Sequence, residues 1–223
     1  MSKYWIGVDP GGIDKFGLAF LNQAGELKCF RESSVDDTVC KIFSEIPENN
    51  VLGMGIDAPM WWSSKPGGGR KSDDLIRKNV IEKSTVFSGN SLTGAALIGG
   101  MLLALRIREK YPQVKITESH PKALLQTLIK KETGETTRKE LKNEMTKMRQ
   151  KFPEMFQISN GWPSNEDEQD AAVASVCARE GITGRWKTDL AKDKYRYCES
   201  EQNPEEYFLK PMHYFWPEDL NLC

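Results

Sequence analysis

The sequence lacks the residue pairings that a zinc site or a disulfide framework needs. Its five cysteines are widely spaced, none of them forms a Cys-x-x-Cys pair, and the two histidines, His120 and His213, lie far apart. An odd and scattered set of cysteines argues against both a zinc ribbon and a disulfide-rich secreted domain. We therefore expect a reducing compartment and a cytoplasmic protein.

The sequence also has no long apolar run and no excess of charge. The longest apolar stretch, around residues 95–105, is too short and too rich in glycine to span a bilayer, so we expect neither a membrane span nor an N-terminal signal. The formal net charge is −1 over 223 residues. A nucleic-acid site, if the chain has one, must therefore depend on a local concentration of charge.

Short apolar runs and helical spacings alternate along the chain. Turn residues separate apolar runs at 4–9, 17–21 and 27–31, which predicts three antiparallel strands joined by hairpins. Two further buried strands are predicted at 51–56 and 114–118. The predicted helices cover 35–46, 92–110, a segment beginning at Pro121, 138–152, and a small-residue segment capped by Ser164 that runs to about residue 179.

This order of elements predicts one α/β domain over residues 1–181. Right-handed crossovers place the first, fourth and fifth strands side by side, which gives a five-stranded mixed sheet of order 3-2-1-4-5 flanked by helices. Residues 59–91 form a loop region inserted into that domain. Residues 182–223 are an acidic extension rich in aromatic residues, which either packs on the domain or binds a partner.

Carboxylates stand at the ends of the three strands that are predicted to be parallel. Asp9, Asp57 and Glu118 each follow an apolar run directly. Ligand sites of open α/β sheets form at the carboxyl ends of the strands, so these three side chains are predicted to converge. Each also has a simpler explanation, because aspartate is common in turns and Glu118 could cap the helix at Pro121.

A predicted helix adds two more acids. Asp167 and Asp170 are three residues apart and therefore share a helix face, although either could merely favour a helix N-terminus. Clustered carboxylates are tolerated when a hard cation neutralises them, and oxygen-only ligand sets suit Mg²⁺ or Mn²⁺. Two such ions about 4 Å apart can activate water and stabilise the leaving oxygen of a phosphodiester.

Five segments carry a resemblance to a known family. They are GVDPGG at 7–12, GIDAPM at 55–60, GGRKSDDLIR at 68–77, TESHPKALL at 117–125 and DEQDAAVASVCA at 167–178. In this order they resemble domain-of-unknown-function family 429, whose members are predicted nucleases of the ribonuclease H-like superfamily. The first hairpin is similar to that of the Holliday-junction resolvase type within this superfamily.

The resemblance implies a ribonuclease H-like fold and a metal-dependent nuclease. It implies Asp9, Asp57, Glu118 and Asp170 as catalytic and metal-binding acids, with Asp167 as a fifth ligand. The metal would be Mg²⁺ or Mn²⁺, and Asp9 is expected to bridge the two ions. The resemblance covers about residues 4–180 and does not extend to the C-terminal extension.

Two basic stretches are candidates for substrate binding. In the insertion, basic residues lie near tryptophans, an arrangement that can grip a phosphate backbone, and Arg70, Asp73 and Arg77 also match the family pattern. The alternative is a solvated loop whose tryptophans cover the core. The predicted substrate-binding residues are Trp61, Arg70, Lys71, Asp73 and Arg77. The second stretch, residues 130–151, has eight basic residues and four glutamates, which is more typical of a solvated helix than of a nucleic-acid surface.

Three functions are candidates, and the sequence counts against the third. The first is a metal-dependent phosphodiester hydrolase that acts on nucleic acid. The second is a non-catalytic domain of the same fold that binds nucleic acid or protein. The third, a phosphotransferase of the sugar kinase, Hsp70 and actin type, needs a duplicated core, and 223 residues without an internal repeat leave no room for one.

Overall fold

The computed structural model describes residues 2–12, 14–63, 70–86, 94–134, 137–192, 205–207 and 212–217. In this part of the chain three consecutive strands are followed by helices and further strands, and the strands and helices predicted up to residue 181 are present. The strands are β1 Tyr4–Asp9, β2 Phe16–Asn22, β3 Leu27–Glu32, β4 Val51–Ile56, β5 Trp61–Ser63, β6 Ile116–Glu118, β7 Thr188–Asp189, β8 Glu205–Tyr207, β9 Met212–His213 and β10 Phe215–Trp216. The helices are α1 Val35–Glu45, α2 Lys71–Arg77, α3 Gly94–Lys110, α4 Pro121–Thr133, α5 Arg138–Met155 and α6 Glu166–Ile182.

The central sheet has the order β3-β2-β1-β4-β6-β9. Strands β1, β2 and β3 are antiparallel neighbours, whereas β4 pairs parallel to β1 and β6 parallel to β4. The predicted α/β class and the predicted order of the first five strands of this sheet are confirmed. The observed sheet differs from the predicted one in strand β9, which pairs parallel to β6 and adds a sixth strand at that edge.

Helix α6 crosses the middle of the sheet at very close range. A Cβ atom built on Gly55 would lie 2.0 Å from the Ala174 carbonyl oxygen, and one on Gly7 would lie 1.9 Å from that of Ala171. Only glycine on the strands allows the helix backbone to approach this closely, and the alanines of α6 contribute the complementary small surface. The helix is capped by Asn165, whose side chain accepts from the Asp167 and Glu168 amides, and not by Ser164 as predicted.

The insertion and the C-terminal extension have regular structure of their own. Residues 59–91, predicted to be a loop region, contain β5 and α2, and β5 pairs with β8 of the extension. Further along the extension, β9 joins the central sheet and β10 pairs with β7. Tyr214 and Trp216 are fully buried, so residues 212–217 pack on the domain. Among the helices that the structure describes, none combines the length and apolarity needed to cross a membrane.

Candidate metal centre

Three carboxylates meet at the carboxyl edge of the sheet. Asp9 is the last residue of β1, Asp57 directly follows β4, and Asp170 lies in the second turn of α6. One oxygen from each of the three lies within 4.8 Å of the others. We refer to Asp9, Asp57 and Asp170 as the carboxylate triad.

The local structure explains why these three side chains meet. Val8 is paired with Ile56 in the parallel ladder, and the Asp57 amide donates to the Val8 carbonyl at 2.9 Å. Strands β1 and β4 therefore end side by side, which places Asp9 and Asp57 next to each other. The close approach of α6 at Gly7 then brings Asp170 over the same edge. The site therefore depends on one parallel strand pair and one helix–sheet contact.

The triad concentrates negative charge at a site where Asp170 is buried and Asp9 and Asp57 are partly buried. Burial, and then the charges of Asp57 and Asp170, raise the pKa of Asp9 well above its usual value. Burial also raises the pKa of Asp170 to about 6, although Arg149 opposes that shift. Carboxyl groups whose ionised form is this unfavourable bind a cation readily, because the cation removes the repulsion between them.

Two cationic side chains lie against the triad. The Arg149 guanidinium donates to the Asp170 Oδ1 at 2.7 Å, and the Lys122 Nζ is 3.7 Å from the Asp170 Oδ2. Burial alone would lower the pKa of Lys122, but the three carboxylates raise it above its usual value. The protein thus balances part of the triad's charge with its own cations.

His120 contacts the second member of the triad. Its Nδ1 lies 3.4 Å from the Asp57 Oδ1. Burial tends to lower the pKa of His120, but the hydrogen bond and charge of Asp57, together with the charges of Glu118 and Asp73, raise the net pKa above its usual value. The sequence predictions did not assign a role to His120, Lys122 or Arg149. The first two are visible in SHPK at 119–122, directly after the predicted strand and at the start of a helix.

Glu118, which was predicted to join the metal ligands, has other partners in the structure. The Arg70 guanidinium donates to both of its oxygens, at 2.8 and 2.6 Å, and the Met60 amide donates to its Oε2 at 2.9 Å. A planar guanidinium matches a carboxylate in this paired geometry, which satisfies both oxygens of Glu118. The structure therefore brings three of the four predicted catalytic acids together and places the fourth in a buried ion pair.

The predicted substrate-binding residues lie largely inside the protein. Arg70 is only 1% exposed, pairs with Asp73 as well as Glu118, and has its guanidinium 4.3 Å from the centre of the buried Trp61 ring. Arg77 is partly exposed and pairs with Asp74, and Lys71 is the first residue of α2. Arg70, Asp73 and Trp61 thus fix the insertion to the end of β6 and are not arranged on an open surface.

Asp167, the predicted fifth ligand, lies near the triad. It is in the first turn of α6, where its amide donates to the Asn165 side chain. Its charge adds a small upward contribution to the pKa of Asp9. Asp167 is not one of the three residues whose ligand atoms lie within 4.8 Å of one another.

The donor set of the triad suits a hard divalent cation. It consists of carboxylate oxygens alone, the ligands that Mg²⁺ and Mn²⁺ favour, whereas zinc sites are built mainly from cysteine and histidine.

Comparison of the chain with protein-family models, with curated proteins and with solved structures found no match. The geometry of the triad is consequently the main guide to function.

Proposed function

We propose that this protein is a ribonuclease H-like, metal-dependent phosphodiester hydrolase that cleaves nucleic acid. The supporting observation is the convergence of Asp9, Asp57 and Asp170 at the carboxyl edge of the sheet, where their oxygens lie within 4.8 Å of one another. A divalent ion bound there, Mg²⁺ or Mn²⁺, would neutralise the phosphodiester charge and activate water for attack.

The surrounding residues have separate roles in this proposal. Asp9, Asp57 and Asp170 hold the metal, and His120 orients Asp57 through the contact between Nδ1 and Oδ1. Arg149 and Lys122 supply positive charge beside Asp170, where it can attract the anionic substrate. Glu118 has a structural role in this proposal, because its ion pair with Arg70 holds the insertion against the end of β6.

A substrate panel tests the proposal. The purified protein is incubated with single-stranded, duplex, hybrid and branched nucleic acids in Mg²⁺ or Mn²⁺. We expect cleavage of at least one substrate and loss of that cleavage in Asp9→Asn, because the amide removes a charged ligand. Ca²⁺ should support little cleavage, since its looser coordination does not impose the geometry of Mg²⁺.

Asp9→Asn also serves as the control for contaminating nuclease, since it is purified in the same way. Cleavage that persists in this variant, or no cleavage of any substrate by the wild-type protein, would contradict the proposal.

One observation favours a second candidate, a non-catalytic binding domain. Arg149 and Lys122 already neutralise part of the triad, so the carboxylates could serve only to hold these two cations. Titration with Mn²⁺, followed by electron paramagnetic resonance, separates the two functions. A metal-binding triad takes up Mn²⁺ and loses it in Asp9→Asn, whereas a triad saturated by the protein's own cations binds no Mn²⁺ in either form.

A further inference from the structure

A cleft opens beside the carboxylate triad, between helices α4 and α5. Its volume is about 460 Å³, within the range of about 300–1,000 Å³ that is typical of small-molecule sites. Among the described residues, four cationic side chains line it, whereas two acids do, Glu82 and Glu166. The cationic residues are Lys122, Arg138, Lys142 and Arg149.

Five of the six basic residues of α5 divide into two groups. Arg138, Lys142 and Arg149 are spaced by four and seven residues, so they follow one face of the helix and line the cleft. Lys147 and Lys151 instead pair with Glu144 and Glu132. The excess of basic residues in this helix is therefore only partly a solvated surface, because three of them turn toward a cavity.

The cleft is continuous with the triad. Lys122 and Arg149 line the cleft, and both also contact Asp170. A phosphate group in the cleft would thus be next to the proposed metal site, and it would share these two cations with Asp170. This continuity distinguishes the cleft from an isolated basic patch on the surface.

We propose that this cleft binds the phosphate of a nucleotide unit next to the cleaved bond of a single nucleic-acid strand. Arginine can pair with phosphate through two parallel hydrogen bonds and lysine binds it as a point charge. The described lining contains no aromatic side chain on which a base could stack. Recognition therefore depends on the backbone and not on the base, which predicts strong salt dependence and little sequence preference.

Lys142 is the residue through which this inference is best tested. It is exposed, and in the described ranges of the chain no ion pair involves it. Arg138, in contrast, is engaged with Glu82 at 2.7 Å, and Lys122 and Arg149 belong to the triad's surroundings. Lys139, also exposed on α5, does not line the cleft and offers a matched control.

The inference rests on the proposed function for its substrate, but its test requires no cleavage. Fluorescence anisotropy measures the affinity for labelled oligothymidylate and oligouridylate in EDTA over a series of KCl concentrations. We expect Lys142→Gln to weaken binding and to reduce the slope of log affinity against log salt by about 0.7, the value for one phosphate contact on a single strand. Lys139→Gln should leave both quantities unchanged, and glutamine keeps a similar helix propensity in both variants.

Equal effects of the two substitutions, or no binding of either oligonucleotide, would overturn the inference. A selective effect of Lys142→Gln would support it even if the protein cleaves nothing, so failure of the proposed function is distinguishable. Competition by a mononucleotide, measured in the same assay, shows whether the cleft binds the phosphate of a free nucleotide or that of a nucleic-acid strand. A mononucleotide that competes as well as the oligonucleotide assigns the cleft to free nucleotides, whereas weaker competition assigns it to a strand.

Discussion

Asp9 is a mostly buried carboxylate with two other carboxylates beside it, and its ionised form is disfavoured for both reasons. Because the pKa values of Asp9 and Asp170 are raised, ionisation of these two carboxyl groups opposes folding of the metal-free protein at neutral pH. Arg149 and Lys122 reduce this cost through their contacts with Asp170 but leave the repulsion between Asp9 and Asp57. At the scale of the residue, the triad thus lowers the stability of the metal-free protein, and a bound cation would relieve that cost.

Replacement of Asp9 by asparagine should therefore stabilise the metal-free protein. The substitution removes one of the repelling charges and keeps the size of the side chain. In EDTA at neutral pH we expect Asp9→Asn to raise the melting temperature by about 2–4 °C, the shift that about 1 kcal/mol produces in a chain of this length. Differential scanning calorimetry measures it, and Mn²⁺ should stabilise the wild-type protein more than the variant.

The pH dependence of this effect has a definite sign. An aspartate of the unfolded chain titrates near 3.8, and folded Asp9 titrates well above that value. Between the two values the folded state holds more protons, so the stability of the wild-type protein falls as pH rises through this window. The advantage of Asp9→Asn should accordingly shrink as pH is lowered toward 4. An advantage that is constant with pH, or a destabilised variant, would contradict the proposed repulsion.

At the scale of the element, the contact between α6 and the sheet controls the site. The helix presents Asp170 to two strand ends, and the glycines of β1 and β4 allow it to lie close enough to do so. The same helix is almost fully buried from Asp170 to Gly181, so it has little freedom to move alone. Site geometry and core packing are therefore linked through one interface.

Replacement of Gly55 by alanine should disturb both the core and the site. The new Cβ would lie 2.0 Å from the Ala174 carbonyl oxygen, and a helix backbone cannot yield as a side chain can. We expect a loss of about 1–3 kcal/mol in the free energy of unfolding, as for other overpacked cores. Displacement of α6 should also lower the affinity for Mn²⁺. Urea unfolding and Mn²⁺ titration measure the two effects.

Gly53 on the same strand provides the control. A Cβ there would meet the end of the Ile182 side chain, Cδ1 at 2.0 Å, which can change rotamer. Gly53→Ala should therefore cost less than Gly55→Ala and leave Mn²⁺ binding intact. Equal costs for the two substitutions would show that the approach of the α6 backbone is not the limiting contact.

At the scale of the whole molecule, segments distant in sequence complete the domain. The insertion is fixed to β6 through Arg70 and Glu118. Residues 212–217 add strand β9 beside β6 and bury the side chains of Tyr214 and Trp216. The Phe215 amide also donates to the Thr117 hydroxyl at 3.2 Å. This part of the extension is thus integrated with the fold and is not a detached arm.

Substitution of Trp216 tests how much this integration stabilises the protein. Its side chain is 1% exposed, so Trp216→Ala should lower the free energy of unfolding by about 3–5 kcal/mol, as for other buried tryptophans. Trp216→Phe should cost less, because the Nε1 has no hydrogen-bond partner in the described part of the chain. Urea unfolding measures both variants. A stability unchanged in Trp216→Ala would instead favour an extension that serves a partner.

Much of the fold could be predicted from the sequence because its signals are local. Apolar runs, turn residues and helical spacings lie within short windows, and the rule for right-handed crossovers then leads to the order of five strands. Local patterns also identified the three acids of the triad. Asp9 and Asp57 follow buried strands, and Asp170 shares a predicted helix face with Asp167. The two-residue strand β9 was missed because it is too short to show a pattern.

The partners of the charged side chains could be decided only by the tertiary structure. Glu118 resembles Asp9 and Asp57 in its position at the end of a strand. Whether a carboxylate in that position joins the triad depends on which basic side chain pairs with it in the folded protein. Arg70, which is 48 residues away, reaches Glu118 with two hydrogen bonds, whereas Arg149 reaches Asp170. Charge interactions depend on distance in space and on burial, and neither quantity is present in a local pattern. The sequence by itself therefore determined which acids stand at the sheet edge, and the folded structure decided which of them are close enough together to hold a metal.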